Sequence, residues 1–117
     1  MNISLPSPSA QAAPVHALHG QTMGTTWSVQ YTSPSRIDPH ALHDAIQARL
    51  DELVAQMSTW EADADIMRFN RCAAGEWFVL RDDMLQVLMV ALDIASRSDG
   101  AFDPTVSPLV AAWGFGA

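Results

Sequence analysis

The run Met84-Leu85, Val87-Leu88-Met89-Val90-Ala91-Leu92 and Ile94-Ala95 is apolar on nearly every side of a helix. Arg81-Asp82-Asp83 opens that helix with two acids in its first turn, where the helix dipole favours them. Ser96-Arg97-Ser98-Asp99-Gly100 ends it. A helix that is apolar all round must be covered on more than one side. A chain of 117 residues supplies one domain with one core. The neighbouring elements offer too little cover, because the other strong patterns are one long helix and short strands, and an isolated strand pair is marginal in water. The expected fold class is α+β: the N-terminal portion of a larger α+β protein, with short strands and two main helices.

Met1 to Gln21 reads as a flexible arm, because Pro6, Pro8, Pro14 and several serines give no period. The folded part is expected over 22–117. Trp27, Val29 and Tyr31 alternate with Ser28, Gln30 and Thr32, which predicts a half-buried strand entered through Met23-Gly24. Met23 either packs in the core or lines a neighbouring cavity. Asp38-Pro39 is an N-cap followed by proline at the first helical position. Leu42, Ile46, Leu50, Leu53, Val54 and Met57 then form one buried stripe, and Asp44, Gln47, Arg49, Asp51, Glu52 and Gln56 cover the rest. Glu61, Asp63 and Asp65 either cap a short helix or form a metal or general-base cluster. Glu76-Trp77-Phe78-Val79-Leu80 predicts a second short strand.

The last stretch, Ser98 to Gly116, is the most constrained. Gly100 is placed to take the positive φ that ends a helix. Asp103-Pro104 and Ser107-Pro108 are successive cap-plus-proline pairs. Phe102, Trp113 and Phe115 set three aromatic rings among small residues, with Gly114 and Gly116 beside them. Such a segment is either a structural corner or a ligand-contacting loop.

A net charge of −7, with six scattered basic residues, argues against nucleic acid or an anionic membrane as partner. The single cysteine, Cys72, allows no internal disulfide and reads as an inert, half-buried thiol. His16 and His19, like His40 and His43, have metal-ligand spacing without further ligands and read as surface residues. No signal peptide or membrane-spanning run is visible, which taken literally is cytoplasmic.

Thr22-Met23-Gly24-Thr25-Thr26-Trp27-Ser28-Val29, Met57-Ser58-Thr59-Trp60, Ile66-Met67-Arg68-Phe69-Asn70, Ser98-Asp99-Gly100-Ala101-Phe102-Asp103-Pro104-Thr105-Val106, Pro108-Leu109-Val110 and Trp113-Gly114-Phe115-Gly116 follow one another in this order. The succession resembles the ApbE family from Gly20 to Gly116. The resemblance implies an FAD:protein FMN transferase, represented by its N-terminal part. Such enzymes use FAD as substrate with Mg2+, release AMP, and leave FMN on a Thr or Ser of a target flavin-carrying subunit of a redox complex. Many members are periplasmic lipoproteins. The matching positions imply FAD contacts at Met23, Trp60, Ala101, Phe102 and Asp103, with Mg2+ ligands expected beyond residue 117 and no catalytic residue assigned. Ala64-Asp65 stands where members often have Ser-Glu, Ser107 where they have Gly, and Ala111-Ala112 where they have Asn-Leu. A flavin-nucleotide-binding module without catalysis, and a plain α+β domain whose aromatic corner seals a core, are the alternatives.

Overall fold

A computed structural model of the chain describes residues 13–116. The element order is β1 (His16–Thr22), β2 (Thr25–Tyr31), α1 (Pro39–Met57), α2 (Asp65–Arg71), α3 (Asp82–Arg97) and α4 (Ser107–Ala112). This is the expected α+β class, with α1 and α3 as its two main helices. The chain divides into two compact units, 1–48 and 49–117, with the boundary inside α1.

The first unit is built on an antiparallel hairpin of β1 and β2, paired from His16↔Tyr31 to Thr22↔Thr25. The arm expected over 1–21 is therefore corrected: its residues from His16 onward are a strand, and 1–12 lie outside the described residues. β1 is hard to see as a strand because its inner face carries only Leu18, Gly20 and Thr22. The missing volume is supplied from β2. Gly20 pairs with Trp27, and the indole lies so close that a Cβ on Gly20 would sit 2.6 Å from Trp27 Nε1. Trp27, Val29 and Tyr31 face inward, as the alternation predicts.

The start of α1 completes this unit. Asp38 caps the helix by accepting the His40 N–H at 2.9 Å. Further along, Trp27 Nε1–H donates to Gln47 Oε1 at 3.0 Å, and Gln47 Nε2–H donates to the Gln21 carbonyl at 3.0 Å. His43 Nε2–H donates to the His19 carbonyl at 3.1 Å, and its ring lies 5.3 Å from the Trp27 ring. One turn-spaced pair on α1, His43 and Gln47, thus holds both the strand backbone and the indole.

In the second unit, polar side chains occupy the most buried positions. Gln56 is 1% exposed, although its spacing places it on the polar side of α1. Its Oε1 accepts the Met84 N–H at 3.2 Å, and its Nε2–H donates to Asp83 at 3.1 Å. The N-cap of α3 is Arg81, which has no acceptor to offer. Gln56 therefore supplies, from another helix, the acceptor that an N-cap side chain ordinarily supplies. Arg49 grips Asp83 with both guanidinium nitrogens, at 2.6 and 2.5 Å.

α3 buries Met84, half-buries Leu88, Ala91 and Ala95 on the same stripe, and leaves Leu85, Val87, Met89, Val90, Leu92 and Ile94 exposed. The second apolar face seen in its sequence is bare. The strand expected at Glu76–Leu80 does not form. The segment alternates, with Phe78 turned to Phe69 at 5.7 Å and Trp77 and Val79 outward, but no neighbouring strand among the described residues pairs with it. Alternation makes a strand only where a second backbone offers hydrogen bonds.

Replacing Gly20 with Ala should push the Trp27 indole off β1. Urea unfolding of the variant is expected to show a loss of about 1–3 kcal/mol, the usual cost of overpacking, and unchanged stability would show that the indole does not rest on Gly20.

Candidate functional site

Met23 forms the tip of the hairpin with Gly24. Both residues have positive φ, 51° and 72°, as the two-residue type I′ turn demands. Gly24 takes this without cost. Met23 does not, because a left-handed conformation costs an unbranched L-residue about 1–2 kcal/mol. Thr22 Oγ1, next to it, is buried without a hydrogen-bond partner. Met23 itself is 62% exposed, and the tip residues Gln21 to Thr26 line an open cavity of about 390 Å3. A strained turn that holds a large apolar side chain out in solvent is the type of outlier found at binding sites.

The other four positions expected to contact a ligand belong to the second unit. Trp60 follows α1, is 78% exposed, and has its backbone N–H held by Ser58 Oγ at 3.2 Å. Ala101, Phe102 and Asp103 follow α3. The end of α3 is a Schellman arrangement: Asp99 N–H donates to the Ser96 carbonyl at 3.3 Å and Gly100 N–H to the Ala95 carbonyl at 3.0 Å. Asp99, with φ 51°, takes the left-handed position expected for Gly100, which follows it with φ 78°. Ser98 then fixes the next two residues. Its carbonyl accepts the Ala101 N–H at 3.1 Å, and its Oγ accepts the Phe102 N–H at 3.1 Å. Phe102 is left 45% exposed on this braced backbone.

Asp103 does not start a helix with Pro104. Its Oδ1 accepts both the N–H and the hydroxyl of Thr105, at 2.8 and 2.7 Å, which closes a local turn. These bonds hold the carboxyl below the usual carboxylate range, so it is an anion at neutral pH. No hydrogen bond among the described residues uses its Oδ2, which is free to accept a hydroxyl or an amine. α4 begins one residue earlier than the Ser107 cap would place it, with Val106 as N-cap and Pro108 inside the first turn. It ends in a second Schellman arrangement with Gly114 at φ 82°, where Gly114 N–H donates to Ala111 and Phe115 N–H to Val110.

The acids at 61–65 separate. Glu61 and Asp63 are exposed, whereas Asp65 is 2% exposed at the start of α2. Asp65 makes no cap bond; it accepts from Arg81 Nε at 2.6 Å and Arg68 Nη2 at 2.5 Å. The Arg81 bond, reinforced by Arg68, holds its pKa below the ordinary value against the opposing effect of burial. Asp65 is a structural anchor, since both of its oxygens are taken. Nothing in its spacing distinguishes it from Asp63; only the fold pairs it with Arg81. Gln56 is likewise hidden in the sequence among exposed polar residues.

The ApbE family model matches residues 23–117. This chain belongs to the ApbE family. An FAD:protein FMN transferase of Vibrio cholerae is 40% identical over 90% of this chain and 31% of that protein. One of Klebsiella pneumoniae is 36% identical over 97% of this chain and 32% of that protein. The flavin transferase ApbE from Vibrio cholerae superposes with a TM-score of 0.83 at 38% identity, over 90% of this chain and 34% of that one. The chain thus spans about a third of the length of the ApbE relatives it matches. The match to the family model spans the segments from Met23 to Gly116.

The Asp65 anchor has a pH signature. Its folded pKa is depressed, so its stabilising contribution is complete above the unfolded value, about 3.9, and is lost as pH falls through the lower folded value. Urea midpoints should fall below about pH 4. Asp65→Asn should be less stable at pH 7 and show a shallower decline in acid. An equally steep decline in the variant would assign the acid sensitivity to other carboxylates.

Proposed function

We propose that the protein is, or is part of, an FAD:protein FMN transferase. The reading rests on one observation above the others: residues 23–117 match the ApbE family, whose curated relatives carry that name. The exposed Met23, Trp60 and Phe102 and the anionic Asp103 support it. In the proposed reaction a Thr or Ser hydroxyl of a flavin-carrying subunit attacks the phosphorus on the FMN side of the FAD pyrophosphate. A phosphoester forms, the bridging P–O bond to the AMP side breaks, AMP leaves with that electron pair, and the hydroxyl proton is released.

The parts assigned to this chain are binding ones. Trp60 and Phe102 offer flat apolar faces to a ring. Met23 fills space beside a bulky cofactor. Asp103 Oδ2 accepts a ribose hydroxyl or ring amine. Mg2+ does not fit these residues: Asp65 and Asp83 are neutralised by arginines, and no group of three His, Cys, Asp or Glu among the described residues is placed to hold a metal.

FAD should quench tryptophan fluorescence of the 117-residue chain saturably but with weaker than micromolar affinity, and Trp60→Ala should weaken it further. A saturable response to FAD and not to NAD+ supports the reading. Absence of any FAD response, or equal binding of both dinucleotides, would overturn it, and equal affinity in Trp60→Ala would remove Trp60 from the site.

A further inference from the structure

We infer that Gln47 is a positioning residue for the hairpin tip and sets flavin-nucleotide affinity through Met23. The inference rests on the reading of Met23 as a contact residue. The tip concentrates two unfavourable features: Met23 is held in the left-handed region, and the neighbouring Thr22 Oγ1 is buried without a partner. A strained turn persists only where its surroundings determine it more strongly than its own preference. The hairpin cannot do this alone, because a two-stranded ribbon is marginal in water.

The bond from Gln47 to Gln21 supplies the determinant. Gln47 projects from α1 and uses both ends of its amide on the hairpin. Its oxygen accepts the Trp27 Nε1–H and its nitrogen donates to the Gln21 carbonyl, each at 3.0 Å. Gln21 pairs with Thr26 and stands two residues before Met23. The amide therefore grips the last part of the ladder before the turn, on one strand through backbone and on the other through an indole. The indole in turn lies over Gly20, whose missing side chain lets it approach. His43, one turn earlier, holds the His19 carbonyl in the same way. The carbonyl that His43 holds lies two residues further along β1 from the tip than the one Gln47 holds.

Gln47 touches no ligand in this account, so its effect must pass through Met23. Two variants separate the two bonds. Gln47→Met keeps the length and loses both. Gln47→Glu keeps an acceptor for Trp27 but has no donor for the Gln21 carbonyl. Amide hydrogen exchange at Thr22 to Thr25, followed without FAD, is expected to accelerate about 3- to 10-fold in Gln47→Glu, the range for one lost hydrogen bond, and by at least as much in Gln47→Met, with exchange in α3 unchanged. FAD affinity should weaken by a similar factor. In a Met23→Gly background, where the strain and the contact are both gone, Gln47→Met should have no further effect on FAD affinity. A merely structural residue would weaken binding by the same factor in both backgrounds, and that result would overturn the proposal. So would unchanged tip exchange in the Gln47 variants. Failure of the wild-type chain to bind FAD would contradict the transferase reading and the affinity claim, while the exchange measurement would still decide whether Gln47 holds the tip.

Discussion

The buried amide of Gln56 is the contact on which the second unit depends. Ala64 and Met84 are the fully buried apolar residues among those described, too few to align three helices by packing alone. Gln56 does what packing does not. It fixes where α3 begins by accepting the Met84 N–H, and it fixes the side on which Asp83 lies, where Arg49 can grip it with two bonds. A buried amide left with an unmade bond is costly, so the register of α1 against α3 is specified by chemistry as well as by shape. Asp65 fixes α2 against Arg81 in the same manner.

This scaffold leads directly to the exposed segment that follows α3. Once the start of α3 is set, its length sets where Ser98 lies, and Ser98 holds the backbone of Ala101 and Phe102. Asp103 is then closed onto Thr105. Phe102 and one oxygen of Asp103 remain outward, on a backbone with little freedom to move. In the first unit the corresponding chain of dependence runs from α1 through Gln47 and Trp27 to the strained Met23. In both units a polar residue of α1 organises the segment that carries an exposed candidate contact.

Much of this was legible in the residues. Asp38-Pro39 marked the start of α1, the alternation at Trp27, Val29 and Tyr31 marked β2, and the order of motifs marked the family. β1 was not legible, because its inner face is completed by an indole from its partner and so carries no alternation of its own. The segment 76–80 misled in the opposite direction, since its alternation answers to Phe69 on one side and not to a paired strand. Asp65 and Gln56 could not be told from their exposed neighbours, because burial of a polar group depends on a partner distant in sequence. At the end of α3, Gly100 takes the positive φ its residue type predicts, and Asp99 before it takes one too, which its residue type does not announce. The apolar second face of α3 was legible from the residues around the helix, and it is exposed in the structure.

The proposed FAD contacts are Met23 in the first unit and, separately, Trp60 and Ala101-Phe102-Asp103 in the second. The most direct measurement is the change in amide hydrogen exchange across the whole chain on adding FAD. The account predicts slowed exchange around 22–25, 59–61 and 100–105, with Leu85 to Ile94 unaffected. Protection confined to the α3 face, or to the second cavity lined by His16, Tyr31 and Arg36, would contradict it.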